Sequence, residues 1–247
     1  MEPVFALDKV IYRYREVTAL DELSLKTFSG RRVALLGSNG SGKSTLLRVL
    51  AGLYFPESGA VHFRGRPVTE TDFLHDEFAH AFRKNVGLVF QDADVQLFCP
   101  SVFDEIAFGP LQLGLNRSEL LQAVNKALEV FGIEHLKDRS PHHLSGGEKK
   151  RVALASVLVM DPTVLLLDEP TAALDPRSQT RMLELLENWH TPSRSIVVAT
   201  HDLHLVADLA DECVVLDHGK VLAQGTPKEI LKDTDVLTRA NLVDARR

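Results

Sequence analysis

Cysteine is scarce in this sequence, with two in 247 residues, Cys99 and Cys213. They lie far apart without a metal-ligand spacing, which excludes a disulfide framework or a cysteine-built zinc site. Both are expected to be ordinary buried residues. Long apolar runs are missing as well: residues 152–160, one of the longest, supply about half of the roughly 20 residues that a bilayer-spanning helix needs. The opening Met-Glu-Pro-Val-Phe has neither the positive start nor the apolar stretch of a secretory signal, so the chain is expected to stay in the cytoplasm. Positive charge is not in excess either. Lysine and arginine number 28 against 34 acidic residues, a formal net charge of -6, which excludes general attraction to nucleic acid or anionic lipid. Attachment to a membrane would therefore need a protein partner. Internal repeats and low-complexity runs are absent.

What remains is ordinary globular composition, 45% hydrophobic and 25% charged, enough for a sizeable core. Residues 4–10 and 23–28 alternate as strands do, and residues 32–36 run as a strand into a glycine-rich loop. A helix is predicted over 43–51, then a turn at 56–59. Residues 86–90 read as a strand, 102–108 and 118–131 as helices, the second capped by Ser118. After Gly146 a long helix is expected to reach residue 160. The bare apolar runs 164–167 and 195–200, separated by a helix over 177–189, read as parallel strands covered on both faces. Residues 213–216 and 221–223 close the series, and the tail beyond residue 230 is polar and weakly patterned. Strands alternating with helices imply an α/β core.

Gly37-Ser38-Asn39-Gly40-Ser41-Gly42-Lys43-Ser44, followed by Thr45, has the phosphate-loop pattern and stands between a strand and a helix. The glycines let backbone N–H groups turn inward around phosphates, and the helix adds the positive end of its dipole. Lys43 would reach the β and γ phosphates, and the Ser44 hydroxyl would join Mg²⁺. Asp168 and Glu169 follow a buried strand at its carboxyl end, where open α/β sheets bind ligands. Asp168 would hold Mg²⁺ through water, and Glu169 could act as general base on the attacking water. Alone, the pair would also suit a solvated turn; beside a phosphate loop the functional reading prevails.

Leu144-Ser145-Gly146-Gly147-Glu148 opens a helix, and serine with glycines at a helix start makes an anion site. By itself Ser-Gly-Gly would be read as a simple N-cap. Shortly upstream of Leu167-Asp168-Glu169-Pro170, however, it resembles the signature of the ATP-binding cassette (ABC) family, with Glu148 where that family more often has Gln. The resemblance covers nearly the whole chain. It implies a P-loop NTPase fold of the ABC ATPase type: a RecA-like core with an antiparallel β edge (residues 1–91 and 158–247) and an inserted helical lobe (92–157). Tyr14, or alternatively Tyr12, would stack on adenine. Gln91 resembles the glutamine that touches Mg²⁺ and water and links to the membrane subunit, Asp175 the loop that crosses between paired subunits, and His201 the switch histidine on the γ-phosphate. In the family two subunits meet head to tail, so that ATP lies between Gly37–Thr45 of one chain and Ser145–Gly147 of the other.

Within the family, Gln91-Asp92-Ala93-Asp94-Val95-Gln96-Leu97-Phe98 and the run from Val102 to Pro110 resemble the ATPases of energy-coupling-factor transporters, their cobalt and nickel members best. One departure is Cys99, where the group usually has a small residue such as serine. The resemblance implies an ATPase on the cytoplasmic face of the cell membrane, paired with an identical or closely related ATPase. Its membrane partners would be a transmembrane coupling subunit and a separate substrate-binding subunit. A vitamin importer, a non-transport ABC ATPase and a nucleotide-binding subunit without hydrolysis are the alternatives; Glu169 and His201 argue against the last. His142 and His143 are read as dispersed loop histidines, since no carboxylate or cysteine cluster accompanies them.

Overall fold

The fold is that of a computed structural model, which describes residues 2–243. Two sheets organise it. β1 (Pro3–Tyr14), β2 (Val17–Phe28), β4 (Ser58–Phe63) and β5 (Arg66–Pro67) form an antiparallel sheet in the order β2-β1-β4-β5. β3 (Arg32–Leu36), β6 (Val86–Val89), β7 (Val164–Asp168), β8 (Ser195–Thr200), β9 (Glu212–Asp217) and β10 (Lys220–Gly225) form the second, in the order β10-β9-β3-β8-β7-β6. There β6, β7, β8, β3 and β9 run parallel, and β10 returns antiparallel to β9.

The second sheet is buried on both faces because alternate side chains of each strand point to opposite sides. Ala34, Leu36, Leu165, Leu167, Ile196, Val198, Cys213 and Val215 enter one apolar cluster. Their neighbours Val33, Leu35, Val164, Leu166, Val197, Ala199, Val214 and Leu216 enter the other. The first cluster lies under α4 (Val102–Gln112), α5 (Arg117–Phe131), α6 (Gly146–Leu158), α7 (Pro176–Trp189) and α8 (Leu203–Leu209). The second holds α1 (Lys43–Leu50), α2 (Asp76–Asn85) and the antiparallel sheet. Each fully buried Leu contributes about 1.5–3 kcal/mol, so this sandwich fixes where the strands end.

Those ends coincide. Leu36 pairs with Thr200, Asp168 with Ala199 and Val89 with Leu167. Gly37, Glu169, His201 and the chain leading to Gln91 therefore leave one edge of the sheet together.

Several boundaries differ from the sequence reading. β1 and β2 run to 12 residues each because register shifts, with Lys9 and Glu22 in left-handed backbone (φ 46° and 50°), interrupt the alternation without ending the pairing. α5 is capped by Asn116, not Ser118. The Asn116 side chain accepts the N–H groups of Ser118 and Glu119, and the Glu119 carboxylate returns to the Asn116 N–H, a capping box. β4 begins inside the turn expected at 56–59, and α2 is hidden by its polar composition. The tail folds too, as α9 (Pro227–Ile230) and α10 (Thr234–Arg239), with Leu237 and Ala240 buried in the first cluster. Cys213 is buried as expected, but Cys99 is only half-buried, and burial beside Glu105 pushes its thiol up to about 11.

Candidate functional site

Gly42 ends the phosphate loop at φ +105°, and a Cβ there would lie 2.5 Å from the Ala19 carbonyl oxygen. Only glycine lets the loop pack so closely and still turn into α1. No side chain caps α1, so its first N–H groups face the loop unclaimed by a cap. Lys43 is buried and folds back, its Nζ donating to the carbonyls of Gly37 (2.7 Å) and Ser38 (3.0 Å). Burial pulls its pKa below the usual lysine range, against the opposing pull of the Glu169 and Asp168 carboxylates. Ser41 Oγ is buried without a hydrogen-bond partner among the described residues, an orphan of the kind that asks for a ligand-based explanation.

Next to the loop, the Ser44 hydroxyl donates to Asp168 Oδ1 at 3.1 Å. Burial raises the Asp168 pKa, and the Ser44 hydrogen bond opposes that rise. Hydroxyl, carboxylate and the Gln91 amide border one cavity of about 270 Å³, together with Tyr14, Asn39, Gly40, Lys43, Thr45 and Glu169. Oxygen donors of this kind suit Mg²⁺, which keeps most of its ligands as water and phosphate. No group of three His, Cys, Asp or Glu able to hold a metal by itself occurs among the described residues.

Glu169 is buried at a strained position, φ +47°. Its N–H donates to the Ala199 carbonyl at 2.9 Å. Its carboxylate accepts Thr200 Oγ1 at 3.1 Å and His201 Nδ1 at 2.8 Å. The His201 ring is 61% exposed, so it reaches the carboxylate from the solvent side. On the adenine side, Tyr14 borders the cavity and Tyr12 does not. Tyr12 instead stacks on Tyr54, ring centroids 5.1 Å apart, while the Tyr14 hydroxyl meets Thr45 Oγ1 at 3.3 Å and accepts from Arg48 at 3.4 Å.

The signature residues stand elsewhere. Leu144 is buried, while Ser145 and Gly146 are exposed, and none of Leu144–Glu148 borders the phosphate-loop cavity. Ser145 caps α6 in a capping box: its Oγ accepts the Glu148 N–H, and Glu148 Oε2 accepts the Ser145 N–H and O–H at 2.8 and 2.7 Å. Hydrogen bonds from the Ser145 hydroxyl and then its N–H hold the Glu148 carboxyl below the usual range. Asp175, also exposed, caps α7 through the Ser178 N–H and hydroxyl. Helix-start signals (Ser or Asp three residues before a carboxylate or hydroxyl) were present for both caps.

Sequence reading missed three further residues. Lys150 reaches the backbone after Asp168, Gln96 joins the Phe90 N–H to the Ala153 carbonyl, and Glu105 accepts the N–H groups of Phe98 and Cys99. None carries a motif of its own; each acts on backbone groups brought close only by folding.

Residues 20–172 match the ABC transporter family. The nickel import ATP-binding protein NikO of Rhodobacter capsulatus is 54% identical, over 98% of this chain and 97% of that protein. The energy-coupling factor transporter ATP-binding protein EcfA of Methanocaldococcus jannaschii is 43% identical, over 94% of this chain and 82% of that protein. Among solved structures, cbiO1 of Clostridium perfringens, part of the ABC transporter complex cbiONQ, superposes with a TM-score of 0.82 at 38% identity, covering 98% of this chain and 96% of that one. An ATP-binding cassette in a dimeric post-hydrolysis state with ADP and Pi gives a TM-score of 0.81 at 26% identity, covering 90% and 98%. With the phosphate loop, the acidic strand end and the signature helix start in this geometry, the chain belongs to the ABC transporter family, as an ATP-binding and ATP-hydrolysing subunit of the energy-coupling-factor type.

Proposed function

We propose that this ATPase works as a pair, identical or of two related chains, and drives a membrane importer of nickel or cobalt ions from its cytoplasmic face. The observation that carries the pairing is the separation within one chain: the phosphate loop with Asp168, Glu169 and Gln91 borders a cavity, while Ser145–Gly147 lies outside it, with Ser145 and Gly146 exposed. A triphosphate seated on the loop would need the helix start of a second copy to close over it. The division into a core lobe (1–91 and 158–247) and a helical signature lobe (92–157) belongs to the same reading.

In the reaction, backbone N–H groups of Gly37–Thr45 and the Lys43 ammonium would hold the phosphates, and Tyr14 would stack on adenine. Ser44, Asp168 and Gln91 would hold Mg²⁺, which when bound neutralises charge on the phosphates. Glu169 takes a proton from the attacking water. Thr200 and His201 hold its carboxylate, and the exposed edge of His201 would face the γ-phosphate once ATP is bound.

Support for a membrane partner comes from a second groove of about 500 Å³ beside the Gln91 segment. Leu53, Phe98 and Phe108 stay exposed on it, the two Phe rings 5.0 Å apart edge to face. Apolar side chains left bare at that scale mark protein interaction surfaces. No helix among the described residues is long and apolar enough to cross a membrane; in the proposed assembly a separate transmembrane subunit carries the cargo. The nickel import ATP-binding protein among the relatives favours nickel as cargo, and cobalt stands beside it from the sequence resemblance.

Uptake of radiolabelled nickel and cobalt by cells carrying the chain with its membrane subunits tests the assignment. ATP-dependent uptake lost in Glu169→Gln is the expected result. Uptake of both metals unaffected by deleting the chain would overturn it.

A further inference from the structure

Lys150 lies on α6, five residues after the Ser145 cap, and its side chain leaves the helix toward the segment that follows β7. Its Nζ donates to three carbonyls there: Glu169 at 3.0 Å, Pro170 at 3.2 Å and Ala172 at 2.6 Å. An ammonium has three N–H donors, and all three are spent on this one stretch of backbone. No carboxylate among the described residues pairs with Lys150. Burial draws its pKa down, against the field of Glu169 and Asp92, so the contact is made at an electrostatic cost.

The segment it gathers is strained. Glu169 at φ +47° and Ala173 at φ +59° bracket it, both non-glycine residues in the left-handed region that side chains disfavour. Such backbone persists where its surroundings over-determine it. The Ala199 carbonyl fixes the Glu169 N–H from one side, and Lys150 fixes the carbonyls from the other. α6 also meets the start of α7 directly, since a Cβ on Gly147 would sit 3.3 Å from Ser178 Oγ, the hydroxyl bonded to Asp175.

We propose that Lys150 is a positioning residue for Glu169: it ties the helix that begins at Ser145 to the strained turn that aims the water-activating carboxylate. The proposal rests on the reading of Glu169 as general base and of Ser145 as the partner's phosphate cap. On that reading, seating the start of α6 in the neighbouring site and aiming Glu169 in its own site are mechanically one event, because Lys150 lies between them.

A double-mutant cycle tests it, using single-turnover ATP hydrolysis by the full-length chain, ATP affinity and thermal stability as readouts. Lys150→Met keeps the aliphatic stem and removes the three donors. Hydrolysis is expected to fall about 10²-fold, the scale of a small misplacement of a reacting group, with ATP affinity unchanged. In a Glu169→Gln background the same change should have no further effect. Equal losses in both backgrounds, loss of ATP affinity in step with rate, or no loss at all would each overturn the proposal. If Lys150→Met does not fold, the cycle is run with Lys150→Gln, which keeps two donors and should lose less rate with the same dependence on Glu169. Glu169→Gln retaining wild-type turnover would overturn the underlying reading, and that outcome is visible without any change at Lys150.

Discussion

Two glycine-rich helix starts in this chain look alike in sequence and differ in their surroundings. Gly42 begins α1 with no side-chain cap, and Lys43, Ser44, Asp168 and Glu169 stand around it. Ser145 begins α6 with its cap satisfied by Glu148, in an exposed place outside the phosphate-loop cavity. The first start is built to receive an anion within the chain. The second is held rigid and outward-facing, as a surface offered to something else. The difference teaches that an anion-binding helix start acts where its surroundings supply counter-charges and walls; on the proposed pairing, a second chain would supply them to α6.

The comparison can be broken most forcefully at the first start. Glu169→Gln keeps the shape of the side chain and removes its basicity, so turnover is expected to fall about 10²–10⁴-fold while ATP still binds. Steady-state phosphate release together with nucleotide affinity checks this. At the second start, Ser145→Arg is expected to cost about 10²-fold or more in turnover and to leave ATP affinity of the isolated chain unchanged, since the altered residue lies outside the chain's own cavity. Tyr14→Ala should weaken ATP binding by about 1–3 kcal/mol, whereas Tyr12→Ala, outside the cavity, should act less.

Smaller effects sharpen the contrast between the two caps. Ser145→Ala removes the α6 box and should cost about 1 kcal/mol of stability, lowering Tm by about 2–4 °C. The box also gives a pH signature. Glu148 is held below its ordinary value of about 4.3, so its contribution is complete above that value and disappears as pH falls through the lowered folded value. The stability difference between wild type and Ser145→Ala should therefore shrink in acid. A difference that grows as pH falls would reject the box as its source.

Much of this was legible in the chain before folding. The phosphate loop, the acidic strand end and the signature helix start are local patterns, and β3, α1, α6, β7 and β8 lie within two residues of where the sequence puts them, whereas α8, just after His201, went unread. Apolar runs such as 164–167 announced strands covered on both faces because nothing polar interrupts them. What stayed hidden depends on distant partners. β4 begins in residues that read as a turn, and α2 carries few apolar residues, with only Phe78, Ala79 and Phe82 buried. The choice of Tyr14 over Tyr12 as the cavity wall follows from strand twist and from Tyr54, far along the chain. Lys150 sits in the basic stretch of residues 149–151 with no spacing that marks a contact, yet it binds three carbonyls about 20 residues away. The Asn116 cap was misread because Ser118 is also a good capping residue, and the Glu119 side chain decides between them.

The central claim, that each ATP is held by the loop of one chain and the α6 start of another, meets its most direct test in mixed pairs. Lys43→Ala and Ser145→Arg chains are each inactive in single-turnover hydrolysis on this account. Mixed together, they form pairs with one site bearing both defects and one site bearing neither, so ADP formation is expected to reappear. If the mixture stays as inactive as its parents while mixed pairs are shown to form, the two helix starts serve one site within a single chain, and the account is contradicted.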